Sequence, residues 1–289
     1  MKTFQLSSII DLFVIVGILI SCTNTVAQDE QIPEIIIIDD DDKDVPYVPT
    51  PDKAVEAMLD LARVDSTDYV IDLGSGDGRI VIAAARRGAT GHGIDIDKDL
   101  VATSRMNAEK AGVGDRVMFL QQDIFDSDIS GASVVTMYLL PDVIRRLRPV
   151  FMHTLQPGTR IVSHSFDMDE WSADSTLTVL DSTGDRHIVH SWIIPAEVAG
   201  DWEWKIAEKA YHAEVQQHFQ NISIDVTQDG SQNTAQNSVL RGDRVSFTTV
   251  NGDTTLVYSG RIIGNTIRGT VQFHAQKTNT LHSWHATRQ

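Results

Sequence analysis

Between residues 50 and 165 the apolar positions alternate between two periods. Short continuous runs at Tyr69–Leu73, Gly91–Asp95, Val117–Leu120, Ser133–Met137 and Arg160–His164 predict β-strands. Stretches of helical spacing separate them. Thr50-Pro51 supplies an N-cap and a first-turn proline for a helix carrying Val55, Met58, Leu59 and Ala62 on one face. Ile80–Ala85, residues 98 to 112 and a stretch around Pro149 are the next helical segments. Strands that alternate with helices predict an α/β fold, a doubly wound, mostly parallel sheet covered on both faces.

Beyond about residue 195 the period changes to two. Runs such as Val245–Val250 and Thr254–Tyr258 are separated by Asp229-Gly230, Gly242-Asp243 and Asn251-Gly252, the dipeptides of tight hairpins. The pattern predicts a boundary at 195 to 200, followed by a small antiparallel all-β barrel or sandwich. Trp202, Trp204 and Trp284 are expected in its core as cross-strand aromatics.

The N-terminus has a different design. Lys2 precedes an apolar run over residues 12 to 20, too short to span a bilayer but long enough for a signal-peptide core. Leu19-Ile20-Ser21-Cys22 resembles a lipobox, so Cys22 is expected to be lipidated and to anchor an exported chain in the cell envelope or periplasm. Cleavage after Thr25-Val26-Ala27 is the rival. The acidic segment 22 to 45 is expected to be an extended tether.

The 289-residue chain is large enough for two cores. Cys22 is its single cysteine, which removes disulfides and thiolate chemistry from the rest. A net charge of -16 argues against binding a phosphate backbone, so no nucleic-acid partner is expected.

Candidate chemistry begins at Ile71-Asp72-Leu73-Gly74-Ser75-Gly76-Asp77-Gly78-Arg79, where a strand runs through a glycine turn into a helix. A dinucleotide fingerprint needs its third glycine where this chain has Arg79. Asp72 and Asp77 beside the turn would repel a pyrophosphate and attract the cationic groups of S-adenosylmethionine. Asp95 ends the second strand roughly twenty residues after the turn, the usual place of a ribose-binding acid. Asp123 follows the third strand, within reach of an adenine amino group.

With those motifs, the chain resembles class I S-adenosylmethionine-dependent methyltransferases. It is most similar to the protein-lysine methyltransferases that act on the c-ring protein of ATP synthase and the adenine nucleotide carrier, and to their bacterial relatives. The resemblance rests on Val45–Thr50, the glycine segment, Gly93-Ile94-Asp95, Gln122-Asp123, Tyr138–Pro141 and Leu147-Arg148-Pro149. It implies a Rossmann-like sheet of seven strands, one reversed, over residues 46–195, followed by a β-rich domain over 196–289. It also implies cofactor contacts from Thr50, Asp72, Gly74, Gly76, Gly78, Asp95 and Asp123, with Tyr47 and Tyr138 as catalytic residues beside the transferred methyl.

Methyl transfer is an in-line displacement in which positioning and desolvation supply most of the rate. An amine acceptor must arrive deprotonated. Tyr138 is placed to orient it, Tyr47 to close the site, and His164, at the end of the fifth strand, is the candidate base. His187 and the later histidines lack carboxylates at metal-ligand spacing, so no metal is expected. The expected function is S-adenosylmethionine-dependent methylation of an amine, such as a protein lysine. Two rivals are a non-catalytic envelope binding module on the same fold and a nicotinamide enzyme.

Overall fold

The computed structural model describes residues 47–275 and 278–289. The expected signal peptide, Cys22 and all of the acidic tether lie outside these residues. No helix among the described residues is long and apolar enough to cross a membrane.

The first half builds α1 (Asp52–Leu61), β1 (Tyr69–Leu73), α2 (Arg79–Arg86), β2 (Thr90–Asp95), α3 (Lys98–Ala111), β3 (Val117–Gln121), β4 (Val134–Met137), α4 (Pro141–Thr154), β5 (Arg160–His164), β6 (Ser175–Leu180) and β7 (Arg186–Ile193). Its seven strands take the order β3-β2-β1-β4-β5-β7-β6. The first five in that order, from the edge strand β3 to β5, are parallel, and β7 runs antiparallel to both β5 and β6. The five strands expected from apolar runs form within a residue of their expected ends. The β6–β7 hairpin carries no such run: β6 is almost wholly exposed and β7 mixes buried and half-buried positions.

Alternation along β1 sends Ile71 and Leu73 to one face and Val70 to the other. The first face is closed by α4 through Ile144, Leu147 and Phe151, and by Trp171 and Trp192. The opposite face is closed by α1 and α2 through Met58, Leu59 and Ile80. α3 starts on the Asp97 side chain, which accepts from Asp99 N and Leu100 N, and ends at Gly112 in the left-handed region. α1 departs from the expected cap. It starts at Asp52 with Pro51 as N-cap and no side-chain cap, because the Thr50 hydroxyl is engaged elsewhere.

The second half is β8 (Gly200–Ile206), β9 (Lys209–His218), β10 (Asn221–Gln228), β11 (Ser231–Thr234), β12 (Gln236–Arg241), β13 (Arg244–Asn251), β14 (Thr254–Ile263), β15 (Thr266–Ala275) and β16 (Thr278–Arg288). These nine form one antiparallel sheet in the order β11-β10-β9-β8-β16-β15-β14-β13-β12. All three expected hairpin dipeptides lie at its turns. Its core is aromatic: Trp204 stacks on Tyr211 at 5.5 Å between ring centres and meets Tyr258 edge-on at 5.7 Å. Trp202 and Trp284 are buried with them, as the alternating pattern requires.

The two sheets meet where Phe219, between β9 and β10, stacks on Trp171 at 5.5 Å. Trp171 Nε1 donates to Gln220 Oε1 at 2.9 Å, and Gln220 Nε2 donates to Ser172 O at 2.8 Å.

Candidate active site

β1 delivers the chain onto the glycine turn at the carboxyl edge of the sheet, beside β4, where the strand order reverses. Residues 74, 76 and 78 all have positive φ. The end of β2 holds this turn: Gly74 N and Ser75 N both donate to Ile94 O at 2.9 Å, and Gly76 N donates to Asp95 Oδ2 at 2.8 Å. Asp95 Oδ1 accepts from Asp97 N at 2.9 Å. The carboxylate expected at a ribose therefore also builds the turn, and each oxygen retains a lone pair for hydroxyls. Above the turn lies Tyr47. A Cβ on Gly76 would come within 2.2 Å of Tyr47 Cε2, so the ring rests on bare backbone.

Asp72 is buried at the end of β1 and accepts from Thr136 Oγ1 at 2.7 Å. Burial pushes its carboxyl up to about 8, and the nearby Asp95 and Asp77 carboxylates push the same way against the Thr136 hydrogen bond. Asp77 has a different role from the one its charge suggested. Arg79 Nε and Nη2 donate to its two oxygens at 2.9 and 2.7 Å, so the side chain that breaks the dinucleotide pattern offsets part of its charge. Arg79 also donates to Thr50 O at 2.9 Å and ties the N-terminal loop to the turn.

On the other side of the crevice, the Tyr138 ring packs on His164 at 4.1 Å between ring centres. His164 is buried. Its Nδ1 lies 3.2 Å from Thr50 Oγ1 and its Nε2 lies 3.0 Å from His187 Nδ1. His187 Nε2 in turn lies 3.2 Å from Asp181 Oδ2. Burial, followed by the neighbouring His187, lowers the His164 pKa to about 3. Its ring thus stays neutral near pH 7 and cannot store a proton as an ordinary base. Burial and then the Asp77 carboxylate raise the Tyr47 phenol, which makes that hydroxyl a donor and not a base.

Asp123 lies past β3 on the same edge of the sheet. It is exposed, and its Oδ1 accepts from Phe125 N at 2.8 Å, so a local turn already uses one oxygen. The structure brings Thr50, Asp72, Asp95 and the glycines to one end of the sheet with Tyr47 and Tyr138. It adds His187 and Asp181, which no sequence pattern singled out. His187 has a carboxylate partner after all, but that partner is six residues away across a hairpin. The only usable signal was that two histidines and an acid flank the end of one strand and the start of another.

The ANTKMT methyltransferase domain model matches residues 72–175. A protein-lysine N-methyltransferase of Saccharolobus islandicus (strain REY15A) is 41% identical over 152 residues, which span 52% of this chain and 94% of that protein. The chain belongs to the ANTKMT methyltransferase family. The adenine nucleotide translocase lysine N-methyltransferase of Mus musculus is 34% identical over 128 residues, a match that spans 44% of this chain and only 56% of that protein. A crystal structure of an RNA methyltransferase from Salinibacter ruber in complex with S-adenosyl-L-homocysteine is 55% identical, with a TM-score of 0.49, covering 52% of this chain and 96% of that one.

Family membership makes the protein an S-adenosylmethionine-dependent methyltransferase, and the site fits that cofactor. The groups acting on the buried carboxyl of Asp72 are a hydroxyl and two further acids, Asp77 and Asp95, which add negative potential. The neighbouring guanidinium, Arg79, is held by Asp77. A ligand carrying positive charge relieves this arrangement, whereas a pyrophosphate worsens it.

Proposed function

We propose that the protein methylates a lysine amine of a protein acceptor. The observation that carries this reading is the similarity to the lysine methyltransferase of Saccharolobus islandicus, which extends over nearly all of that protein. S-adenosylmethionine, when bound, supplies an activated methyl carbon.

The chain's own residues do the rest. The glycine turn and Asp95 give the cofactor a rigid backbone cradle. Asp72 offers a carboxyl whose ionised form a cationic ligand stabilises. Tyr47 covers the turn from the N-terminal loop, and Tyr138, next to His164, lines the side on which the acceptor enters. An alkyl-ammonium suits an acidic protein of net charge -16, and a phosphate backbone does not.

Incubation of the protein with radiolabelled S-adenosylmethionine and lysine-containing peptides is expected to yield labelled methyl-lysine and S-adenosylhomocysteine. Label on RNA and none on any lysine peptide overturns the reading. We also infer that the chain acts in the cell envelope, lipidated on Cys22. Fatty-acid labelling of the wild type and its loss in Cys22→Ala test this, and equal labelling of both refutes it.

A further inference from the structure

We propose that Thr50, His164, His187 and Asp181 form the path by which the acceptor amine loses its proton. The inference rests on the amine reading above. It starts from a continuous line of contacts: Thr50 Oγ1 to His164 Nδ1 at 3.2 Å, His164 Nε2 to His187 Nδ1 at 3.0 Å, and His187 Nε2 to Asp181 Oδ2 at 3.2 Å. The line begins in the N-terminal loop beside the glycine turn, crosses the end of β5 and the start of β7, and leaves through the β6–β7 hairpin.

Its direction follows from the carboxylate at its far end. Asp181 is held well below the usual carboxylate range, first by the Thr183 hydroxyl, so its oxygens only accept. His187 must then donate from Nε2, which leaves Nδ1 as an acceptor. His164 donates to that atom from Nε2 and presents a lone pair at Nδ1. The Thr50 hydroxyl donates there and keeps its oxygen lone pairs for a donor on its other side. An acceptor ammonium is such a donor.

The two histidines have unequal environments. His164 is 1% exposed and lies under the Tyr138 ring, and its low pKa excludes a resting charge. His187 keeps 15% of its side chain exposed and faces Asp181, which keeps 12%. A positive charge is tolerated only at this outer position. Among the described residues, the titratable groups facing His164 are Tyr138, just past β4, and His187 from β7. Those around His187 are His164 and Asp181, with Asp185 joined to the turn through Thr183 Oγ1 at 2.7 Å.

The step balances without a co-reactant. An ammonium N–H bond breaks, and its electron pair stays on nitrogen for attack on the methyl carbon. The proton passes to Thr50 Oγ while the Thr50 hydroxyl proton moves to His164 Nδ1 and the His164 Nε2 proton moves to His187 Nδ1. The resulting imidazolium faces Asp181 and gives one proton to water at the edge of the protein. One proton enters and one leaves.

Asp181→Asn is the incisive variant. Oδ1 of Asp181 accepts the turn bonds from Thr183 N, Thr183 Oγ1 and Asp185 N, at 2.8, 2.7 and 2.9 Å, and an asparagine carbonyl can keep them. Its amide nitrogen would instead donate to His187 and invert every hydrogen bond along the line. His187→Gln keeps polarity but cannot carry a proton. With S-adenosylmethionine and a lysine-rich peptide, both variants should lower kcat about a hundredfold at pH 7.5, the ordinary scale of a proton-transfer contribution. The peptide KM and the cofactor Kd should hold. The deficit should close toward pH 10, where a much larger share of the amine, whose pKa is about 10.4, arrives already deprotonated. A deficit equal at all pH values, or none, overturns the relay.

If the wild type methylates no lysine peptide, the amine reading fails by itself, and 15N histidine NMR judges the relay. His164 should be the neutral Nε2–H tautomer in the wild type and the Nδ1–H tautomer in Asp181→Asn. The same tautomer in both proteins also overturns it.

Discussion

Thr136 Oγ1, in the middle of β4, donates to Asp72 Oδ1 on the adjacent β1 at 2.7 Å. Both residues are buried and the strands place them side by side in register. This one bond is the counterweight to a carboxyl that burial and two neighbouring acids push toward neutrality. It sets how readily the site accepts a cation.

Thr136→Val removes that donor while conserving shape. Cofactor binding should weaken by about 1–3 kcal/mol, the range for a hydrogen bond to a group that must be charged. Calorimetric titration of the variant with S-adenosylmethionine gives the answer; an unchanged Kd means that Asp72 does not ionise on binding.

The raised pKa of Asp72 gives two pH effects of opposite sign. The unfolded carboxyl ionises near pH 4, whereas the folded one holds its proton to about 8. This contribution to ligand-free stability is therefore complete below pH 4 and declines as pH rises toward 8. Cofactor affinity should rise over the upper part of the same window, with proton release detectable as a buffer-dependent binding enthalpy. Asp72→Asn should flatten both profiles, and a variant that retained either slope would assign it to another group.

Asp95→Ala removes the acceptor of both Gly76 N and Asp97 N. Losing it should lower stability by about 1–3 kcal/mol, since buried donors are left without partners. Cofactor affinity should fall as well, because the turn loses its anchor. Thermal unfolding with and without S-adenosylhomocysteine separates the two effects: a drop in Tm alone would leave Asp95 a structural role only.

Trp204→Ala opens a void among Tyr211, Tyr258 and Trp284, and should cost about 3–5 kcal/mol. The damage should stay in the β-sheet core, since its aromatic cluster includes no residue of the crevice. Retained affinity for S-adenosylhomocysteine at low temperature would confirm that separation, and its loss would contradict it.

Phe219→Ala deletes the ring that stacks on Trp171 between the two sheets. Scanning calorimetry should then resolve two unfolding transitions where the wild type has one. A single transition at unchanged Tm would show that Gln220 and the remaining contacts suffice.

Much of this protein was legible in local sequence. Apolar period determined the five parallel strands, because a strand buried on both faces needs a continuous apolar run. The glycine dipeptides determined the hairpins, since few other residues adopt their left-handed backbone. That the glycine turn lies beside Asp72 and Asp95 was readable because all three lie at strand ends close in sequence.

What only the tertiary structure decided has one physical cause: contacts set by strand register rather than by spacing. β7 pairs antiparallel with β5, putting His164 opposite Val189 and His187 on the same face one step along. Thr50 reaches His164 across 114 residues. No local pattern encodes such distances. The chain pointed by itself to a cationic nucleoside cofactor, and the fold decided how the acids around the glycine turn are partnered.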